Sequence, residues 1–364
     1  MNANVSVLVT PHAGLHYLEP LYREIESSGV KVRFAKGPTP SQTLNIALSP
    51  AVLTWYRILG YQVLHIHWVF QFSLPWARER KWARHLMELW FGVYLRTAQA
   101  LGYSIVWTAH DLLPHGQIFA DDLRARDLLL SKARAVIALS ESTAVEVIAL
   151  GAQLVRVIPI GPYTDHYPVK LTREEARSSF GFSDDDLVVA LIGRIEEYKG
   201  ADLLLKAVAE LPKTSKIKVL LVGSCSDPTY RRKIDNLASQ TDGRTLAVLD
   251  FVPDEDLARY YQATDFAVFP FREITNSASV LLAQSFARPI VIPDLPFLRD
   301  IPAESAIRFD STMGSLVNSL RQAEDLSESQ YRKMSAAGLA WATRFDWSDV
   351  AQETIKTYRL ARSS

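Results

Sequence analysis

Short runs rich in Val, Ile and Leu alternate along this chain with longer stretches whose apolar residues recur every three or four positions. In the first half the runs cover residues 5–9, 30–34, 63–67, 104–108, 135–139 and 154–158, with helical spacing over 18–28 and 140–150. The second half repeats the plan. Its runs lie at 188–192, 218–222, 246–249, 266–269, 290–292 and 306–309, with helical spacing over 200–210, 228–240, 254–262 and 279–287. Strands apolar at every position, rather than at alternate ones, are covered on both faces, and the intervening helices supply the cover. The pattern predicts an α/β chain of two doubly wound, Rossmann-like parallel sheets. Residues 160–173, with Gly161, Pro162 and Pro168, read as the connection between them.

Composition narrows the classes of function. The 364 residues suit two domains, and 48% hydrophobic residues are ample for packed cores, which excludes global disorder. With 40 Lys+Arg against 40 Asp+Glu the formal net charge is zero, so the broad basic field that nucleic acid requires is absent and no nucleic-acid partner is expected. The single cysteine, Cys225, leaves no internal disulfide framework and no cysteine zinc cluster. It fits a reducing, cytoplasmic compartment. No apolar run approaches the roughly 20 residues that span a bilayer. The N-terminal MNANVSVLVTPHAG lacks a basic leader and reads as a first strand.

Open α/β sheets bind ligands beyond the carboxyl ends of their strands, so two of them facing a cleft place function in strand-end loops. The richest such loop is Gly193-Arg194-Ile195-Glu196-Glu197-Tyr198-Lys199-Gly200. Gly193 admits close backbone approach, Arg194 offers a planar fork for phosphate oxygens, and Lys199 is a point charge. Two cations on one strand-to-helix loop suit a diphosphate; ordinary surface cations paired to Glu196 and Glu197 are the alternative. In the first half, Gly14 and His16 lie on the loop that follows the first strand, which is not G-x-G-x-x-G. His65 and His67 share one strand face and Trp68 follows them. An H-x-H pair needs a third ligand to hold a metal, and no acidic cluster is near, so no metal site is expected. Trp68 either stacks on a sugar ring or fills the core.

The element Gly193–Gly200 resembles the G-R-x-x-x-x-K-G element of retaining glycosyltransferases of family 4, which have the GT-B fold. Residues 220–224 resemble the family's next strand and its glycine, Gly223. Residues 251–273 resemble its helix and A-D-x-x-V-x-P segment, with Thr264 in place of Ala, and 279–294 its next helix and P-V-V strand. The resemblance implies a nucleotide diphosphate sugar held mainly by the C-terminal half, around Gly193, Gly223, Val252, Asn276, Ser277, Ala278 and Ser279, with Gly14 from the N-terminal half. The family's E-x7-E element is altered: its second Glu falls on Leu282, and its first falls beside Glu273, which reads as a one-residue-shifted counterpart. Residues 106–111 resemble the T-x-H-D element, which implies His110 near the donor sugar and Asp111 beside it. The implied catalytic set is His110, Arg194, Lys199 and Glu273; His16, His67, Trp68 and Asp111 form an acceptor-side set. The tail resembles a family helix that returns to the N-terminal domain. The expected domains are therefore 1–162 with 348–364, on the acceptor side, and 163–347, on the donor side.

No D-x-D cluster sits at a strand end, and Asp184-Asp185-Asp186 precedes a strand instead. Arg194, Lys199 and helix amides are then left to stabilise a departing diphosphate, with no cofactor. The resemblance implies transfer with retention to a lipid-linked or polysaccharide acceptor. Two other readings stay open: a GT-B-like nucleotide-sugar epimerase and, with the second Glu lost, a non-catalytic nucleotide-sugar-binding protein. Over 76–96, helical projection puts Trp82, Leu86, Leu89, Trp90 and Val93 on one side and Arg80, Lys81 and Arg84 on the other. Either the apolar stripe packs on the sheet, or tryptophans and cations meet an anionic membrane on the inner face of the plasma membrane.

Overall fold

The computed structural model describes residues 5–10, 18–69, 72, 74–114, 116–163, 167–274, 278–310 and 312–363. The chain divides into two compact units, 1–160 with 346–364, and 161–345. The first holds strands β1 (Ser6–Thr10), β2 (Lys31–Phe34), β3 (Val63–Ile66), β4 (Ser104–Ala109), β5 (Ala135–Ala138) and β6 (Val155–Val157). They form one sheet in the order β2-β1-β3-β4-β5-β6, with every ladder parallel. The second unit holds β7 (Leu187–Ile192), β8 (Ile217–Val222), β9 (Thr245–Val248), β10 (Phe266–Val268), β11 (Ile290–Pro293) and β12 (Ala306–Phe309). Their order is β12-β11-β10-β7-β8-β9, again all parallel.

The central strands β3, β4, β5, β10 and β11 are buried at every described position, as their unbroken apolar runs require. Each sheet has one point where the chain reverses its direction of growth, between β1 and β3 in the first and between β7 and β10 in the second. Crossovers leave from such a point toward opposite faces, so a crevice opens beyond the strand ends. The loops after β7 and β10 meet at the crevice of the second sheet. In the first unit, the helix Trp347–Ser363 buries Val350, Ala351, Ile355, Tyr358 and Ala361 in the same core as Leu18, Tyr22 and Ile25 of the helix Leu18–Ser27.

At the opposite end of the second sheet, Asp265 precedes β10. It accepts hydrogen bonds from Val188 N at 2.8 Å and from the guanidinium groups of Arg173 and Arg177. Arg177 is fully buried and donates through its other nitrogen to the carbonyls of Ser183, Asp184 and Asp186. This ties the helix Arg173–Ser179 to the base of the sheet.

Two helices, Gln42–Ala47 and Ser49–Ile58, lie between β2 and β3 where no element stood out in the sequence. The first buries nothing and the second only Leu53, while Leu44, Trp55 and Ile58 face solvent. A helix without a buried stripe leaves no amphipathic signature to read.

Candidate functional site

In the second unit, β7 and β8 end side by side in Gly193 (φ 130°) and Gly223 (φ 132°), a backbone region that only glycine enters without strain. A Cβ on Gly223 would lie 2.2 Å from the Gly193 carbonyl oxygen, so the two strand ends touch backbone to backbone. A Cβ on Gly193 would stand 3.0 Å from both Lys199 Nζ and Ser279 Oγ. The missing side chain is what makes room for the ammonium. The chain then turns through a short 3-10 segment, Glu197–Lys199, into the helix Ala201–Ala209.

Lys199 is 8% exposed and its ammonium donates to Ser279 Oγ at 3.4 Å, in the first turn of the helix Ala278–Ser285. Burial pulls its pKa down to about 8. The charge of Arg194 pulls the same way and Glu196 opposes it. Arg194 itself is exposed and ion-paired to Glu196 at 3.1 Å. The structure thus brings Gly193, Lys199, Gly223 and Ser279 together at the crevice, with Arg194 on the same loop. Ala278 heads the Ser279 helix, Glu273 is exposed on the loop after β10, and Val252 is half-buried against the core beyond β9. Leu282 packs on that core. Asn276 and Ser277, like Gly14 and His16, lie outside the described residues.

Four groups that the sequence did not single out hold the Lys199 loop in place. Asp202, 1% exposed, makes a two-pronged ion pair with Arg272 at 2.9 and 2.8 Å, pairs with Lys233 at 2.8 Å and accepts from Tyr230 Oη at 3.0 Å. Burial opposes its ionisation, but the hydrogen bonds from Arg272 and Lys233 prevail and bring its pKa down to about 2. Arg272 also donates from its backbone to Tyr198 O at 2.8 Å and from its guanidinium to Glu197 O. The turn before Lys199 is therefore bolted to the loop after β10. Asp202 and Arg272 lie 70 positions apart, and no local spacing announces the pair.

In the first unit, His67 follows β3 and His110 follows β4. They form the end of a buried chain. Thr108 Oγ1 lies 2.7 Å from His65 Nε2; His65 Nδ1 lies 2.8 Å from Tyr22 Oη and 2.7 Å from Tyr358 Oη. Tyr22 Oη lies 2.6 Å from His67 Nε2, and His67 Nδ1 lies 2.9 Å from His110 Nε2. Burial holds all three imidazoles far below their ordinary pKa, His65 and His110 at about 3, so they are neutral at physiological pH. The H-x-H pair shares one face, as the two-residue period predicts, but both ring nitrogens of His65 and of His67 are spent on this chain. Trp68 stacks on His110 at 4.5 Å and 16°. Asp111 is half-buried beside it. A cavity of about 30 Å³, large enough for one water, adjoins His65, His67, Thr108 and His110. His67 is 2% exposed and stands behind His110.

The helix Lys81–Ala100 buries Ala83, Met87, Phe91, Tyr94, Leu95 and Ala98. The stripe over Trp82, Leu86, Leu89 and Val93 does not pack on the sheet; those four side chains are exposed. Trp90 is half-buried and donates to Ile46 O at 2.7 Å. Among the described residues no helix is long and apolar enough to cross a membrane.

Residues 172–339, most of the second unit, match the family described as Glycosyl transferases group 1. A GDP-mannose:glycolipid 4-beta-D-mannosyltransferase from Xanthomonas campestris pv. campestris is 27% identical over 238 residues, 64% of this chain. The chain spans 61% of that relative's length. Among solved structures, sucrose-phosphate synthase from Thermosynechococcus elongatus superposes with TM-score 0.75 at 19% identity, covering 98% of both chains. The Anabaena protein HepE, in complex with UDP and glucose, superposes with TM-score 0.73 at 16% identity, over 97% of this chain and 99% of its own. The chain thus has the two-sheet fold of the GT-B glycosyltransferase structures, and its second unit carries the match to glycosyl transferases group 1.

Proposed function

We propose that the protein is a glycosyltransferase that moves a sugar from a nucleotide diphosphate sugar to a lipid-linked or polysaccharide acceptor, with retention and without a metal. The observation that carries this is Lys199, an ammonium buried at the crevice of the second sheet beside Ser279 and Gly193. A cation withdrawn from water there is poised for an anion that replaces its hydration. Arg194 is the second cation, and the first turn of the helix Ala278–Ser285 aims amide N–H groups and a positive dipole end at the same place. In the reaction the bond from the anomeric carbon to the diphosphate oxygen breaks and the acceptor oxygen bonds to that carbon. The acceptor's proton passes to the departing diphosphate. Lys199 and Arg194 lower the barrier by stabilising the charge that develops on the leaving group, and the remaining work is positioning. His110, neutral, supplies a hydrogen bond rather than a charge, and Glu273 stands as the carboxylate nearest the family's first Glu. Asp111, Trp68, His67 and His16 belong to the acceptor side in this reading.

The relatives support a transferase: the matched mannosyltransferase is named for GDP-mannose and a glycolipid, and HepE was solved with UDP and glucose. A thermal-shift panel of GDP, UDP and ADP tests the reading. One nucleotide at 100 times its Kd is expected to stabilise the protein by about 2.7 kcal/mol, and the other two by far less. No stabilisation by any of the three contradicts the proposal. With the donor in hand, the anomeric configuration of the product relative to the donor decides retention.

In the same reading the acceptor is reached at an anionic membrane surface. The exposed Trp82, Leu86 and Leu89 provide apolar insertion, and the exposed Arg80 and Lys81 contribute about 1 kcal/mol each toward anionic headgroups, with the half-buried Arg84, which donates to Gln117, behind them. In this reading the enzyme works at the inner face of the plasma membrane. Co-sedimentation with anionic vesicles is expected to fall sharply when Arg80, Lys81 and Arg84 are changed to Gln. Unchanged co-sedimentation would remove the membrane surface from the account.

A further inference from the structure

The helices Gln42–Ala47 and Ser49–Ile58 follow one another across Leu48, and Leu44, Leu48, Trp55 and Ile58 recur along them at helical spacing. These four side chains are 40–74% exposed. The one charged side chain of the pair, Arg57, is half-buried and donates from Nε to Leu101 O at 2.7 Å. The helix Lys81–Ala100 packs alongside in the same direction, with Trp90 donating to Ile46 O near one end and Arg57 reaching Leu101 O near the other. At 100° per residue, Trp90 lies between the exposed stripe of that helix and its buried face. The stripe therefore borders the seam with the helix pair, and the two sets of apolar side chains form one exposed face. Scattered apolar side chains need no partner, but a contiguous face rimmed by charge marks a protein or membrane contact.

Charge decides between those partners. Residues 27–100 carry nine Lys and Arg against Glu79 and Glu88, in a chain whose formal net charge is zero, and no acidic residue stands between 27 and 78. Lys36, Arg80, Lys81 and Arg96 are exposed. Glu88 is engaged elsewhere: it accepts from Asp121 N at 3.0 Å and pairs with Arg124 at 3.7 Å. A two-fold contact sets a patch against its own copy, so a second chain here would bring cations onto cations with almost no carboxylate to meet them. An anionic bilayer offers hydrocarbon to the apolar side chains and negative headgroups to the cations. We propose that the outward face of the helices Gln42–Ala47 and Ser49–Ile58 is a second membrane-inserting element, which with the helix Lys81–Ala100 forms a two-helix platform lying flat on an anionic bilayer. The identity of the partner rests on the membrane reading above; the second element is the addition. One helix in the interface leaves the first unit free to roll about the helix axis, whereas two side by side define a plane and fix which side of the unit meets lipid.

An environment-sensitive fluorophore on a single cysteine tests this in the full chain carrying Cys225→Ser, at Ile58→Cys, Leu89→Cys or Val145→Cys. All three positions are exposed, and Val145 lies on the helix Glu141–Ala149, outside the face. With vesicles of phosphatidylcholine and phosphatidylglycerol, the labels at 58 and 89 are expected to shift to the blue and to be quenched by brominated lipid. The label at 145 should stay as in buffer, and vesicles of phosphatidylcholine alone should move position 58 far less. A shift at only one of the two positions overturns the platform: at 89 alone it leaves the single-helix reading standing, and at 58 alone it removes that reading. No shift at either overturns both. A shift at 58 in buffer that grows with protein concentration assigns the face to a second copy and overturns the proposal, as does an equal shift with neutral vesicles. In the otherwise unaltered chain, Trp55→Ser combined with Ile58→Ser is expected to lower partitioning onto the anionic vesicles by about tenfold or more. Unchanged partitioning contradicts the proposal.

Discussion

Lys199→Ala is expected to cost about 2–4 kcal/mol in transition-state stabilisation, the range found when one preorganised charge-stabilising group is deleted from an active site. That is a fall of roughly 30- to 1,000-fold in kcat/KM. Burial is the cause. Lys199 is 8% exposed, and the protein has spent desolvation free energy to hold an ammonium there, which shows in its lowered pKa of about 8. Arg194, exposed and paired to Glu196, is solvated already, so the buried cation has more to gain from a diphosphate than the exposed one. Steady-state kinetics on the two single variants checks both points: Lys199→Ala should be the more damaging. Near-wild-type turnover in Lys199→Ala would place the leaving group elsewhere.

Asp265→Ala is expected to destabilise the second unit by about 3–5 kcal/mol, because it leaves the fully buried Arg177 guanidinium without its counter-charge. Three backbone carbonyls still accept from Arg177, but they are dipoles and do not neutralise a charge. The loss also frees Arg173 and the Val188 amide, so the helix Arg173–Ser179 and the start of β7 loosen together. Urea unfolding followed by a probe in the second unit measures this. Two units need not unfold in one step, so the transition assigned to the second is the quantity to compare. Because Asp265 lies at the base of the sheet, away from the loops after β7 and β10, the folded fraction should keep its nucleotide affinity. A shift below 1 kcal/mol would show that water reaches Arg177 and that the pair contributes little.

Much of this fold was legible because buried parallel strands are written as unbroken apolar runs. All twelve strands among the described residues lie where such runs stand, with ends displaced by a residue or so. The helices Gln42–Ala47 and Ser49–Ile58 were not legible, since of their apolar residues only Leu53 is buried and Leu44, Trp55 and Ile58 face outward, so no polar face opposes a buried stripe. The same logic explains the stripe on the helix Lys81–Ala100: periodicity identifies an apolar side but cannot say whether protein or another surface covers it. At the site, glycines and cations on a strand-end loop announced Lys199. Its burial was hidden, because it arises from Ser279, which is 80 positions away, and from the Asp202–Arg272 clasp. The H-x-H pair was visible from the two-residue period of a strand. Its partners were not, for Tyr358 reaches His65 across 293 positions. Local pattern yields elements and exposed chemistry; contacts between distant loops decide which of those groups are withdrawn from water.

The central claim, that the buried Lys199 ammonium receives a diphosphate, has a pH signature. Below about pH 8 the free protein carries Lys199 charged, and above it the amine is neutral and the anion loses its counter-charge. Calorimetric affinity for the stabilising nucleoside diphosphate, measured from pH 6.5 to pH 9.5 in the wild type and in Lys199→Met, tests this most directly. The account predicts an affinity constant for the wild type that is level below about pH 8 and falls toward tenfold per unit above it, against a weak and pH-independent constant in the variant. Equal affinities in the two proteins across that range would contradict it.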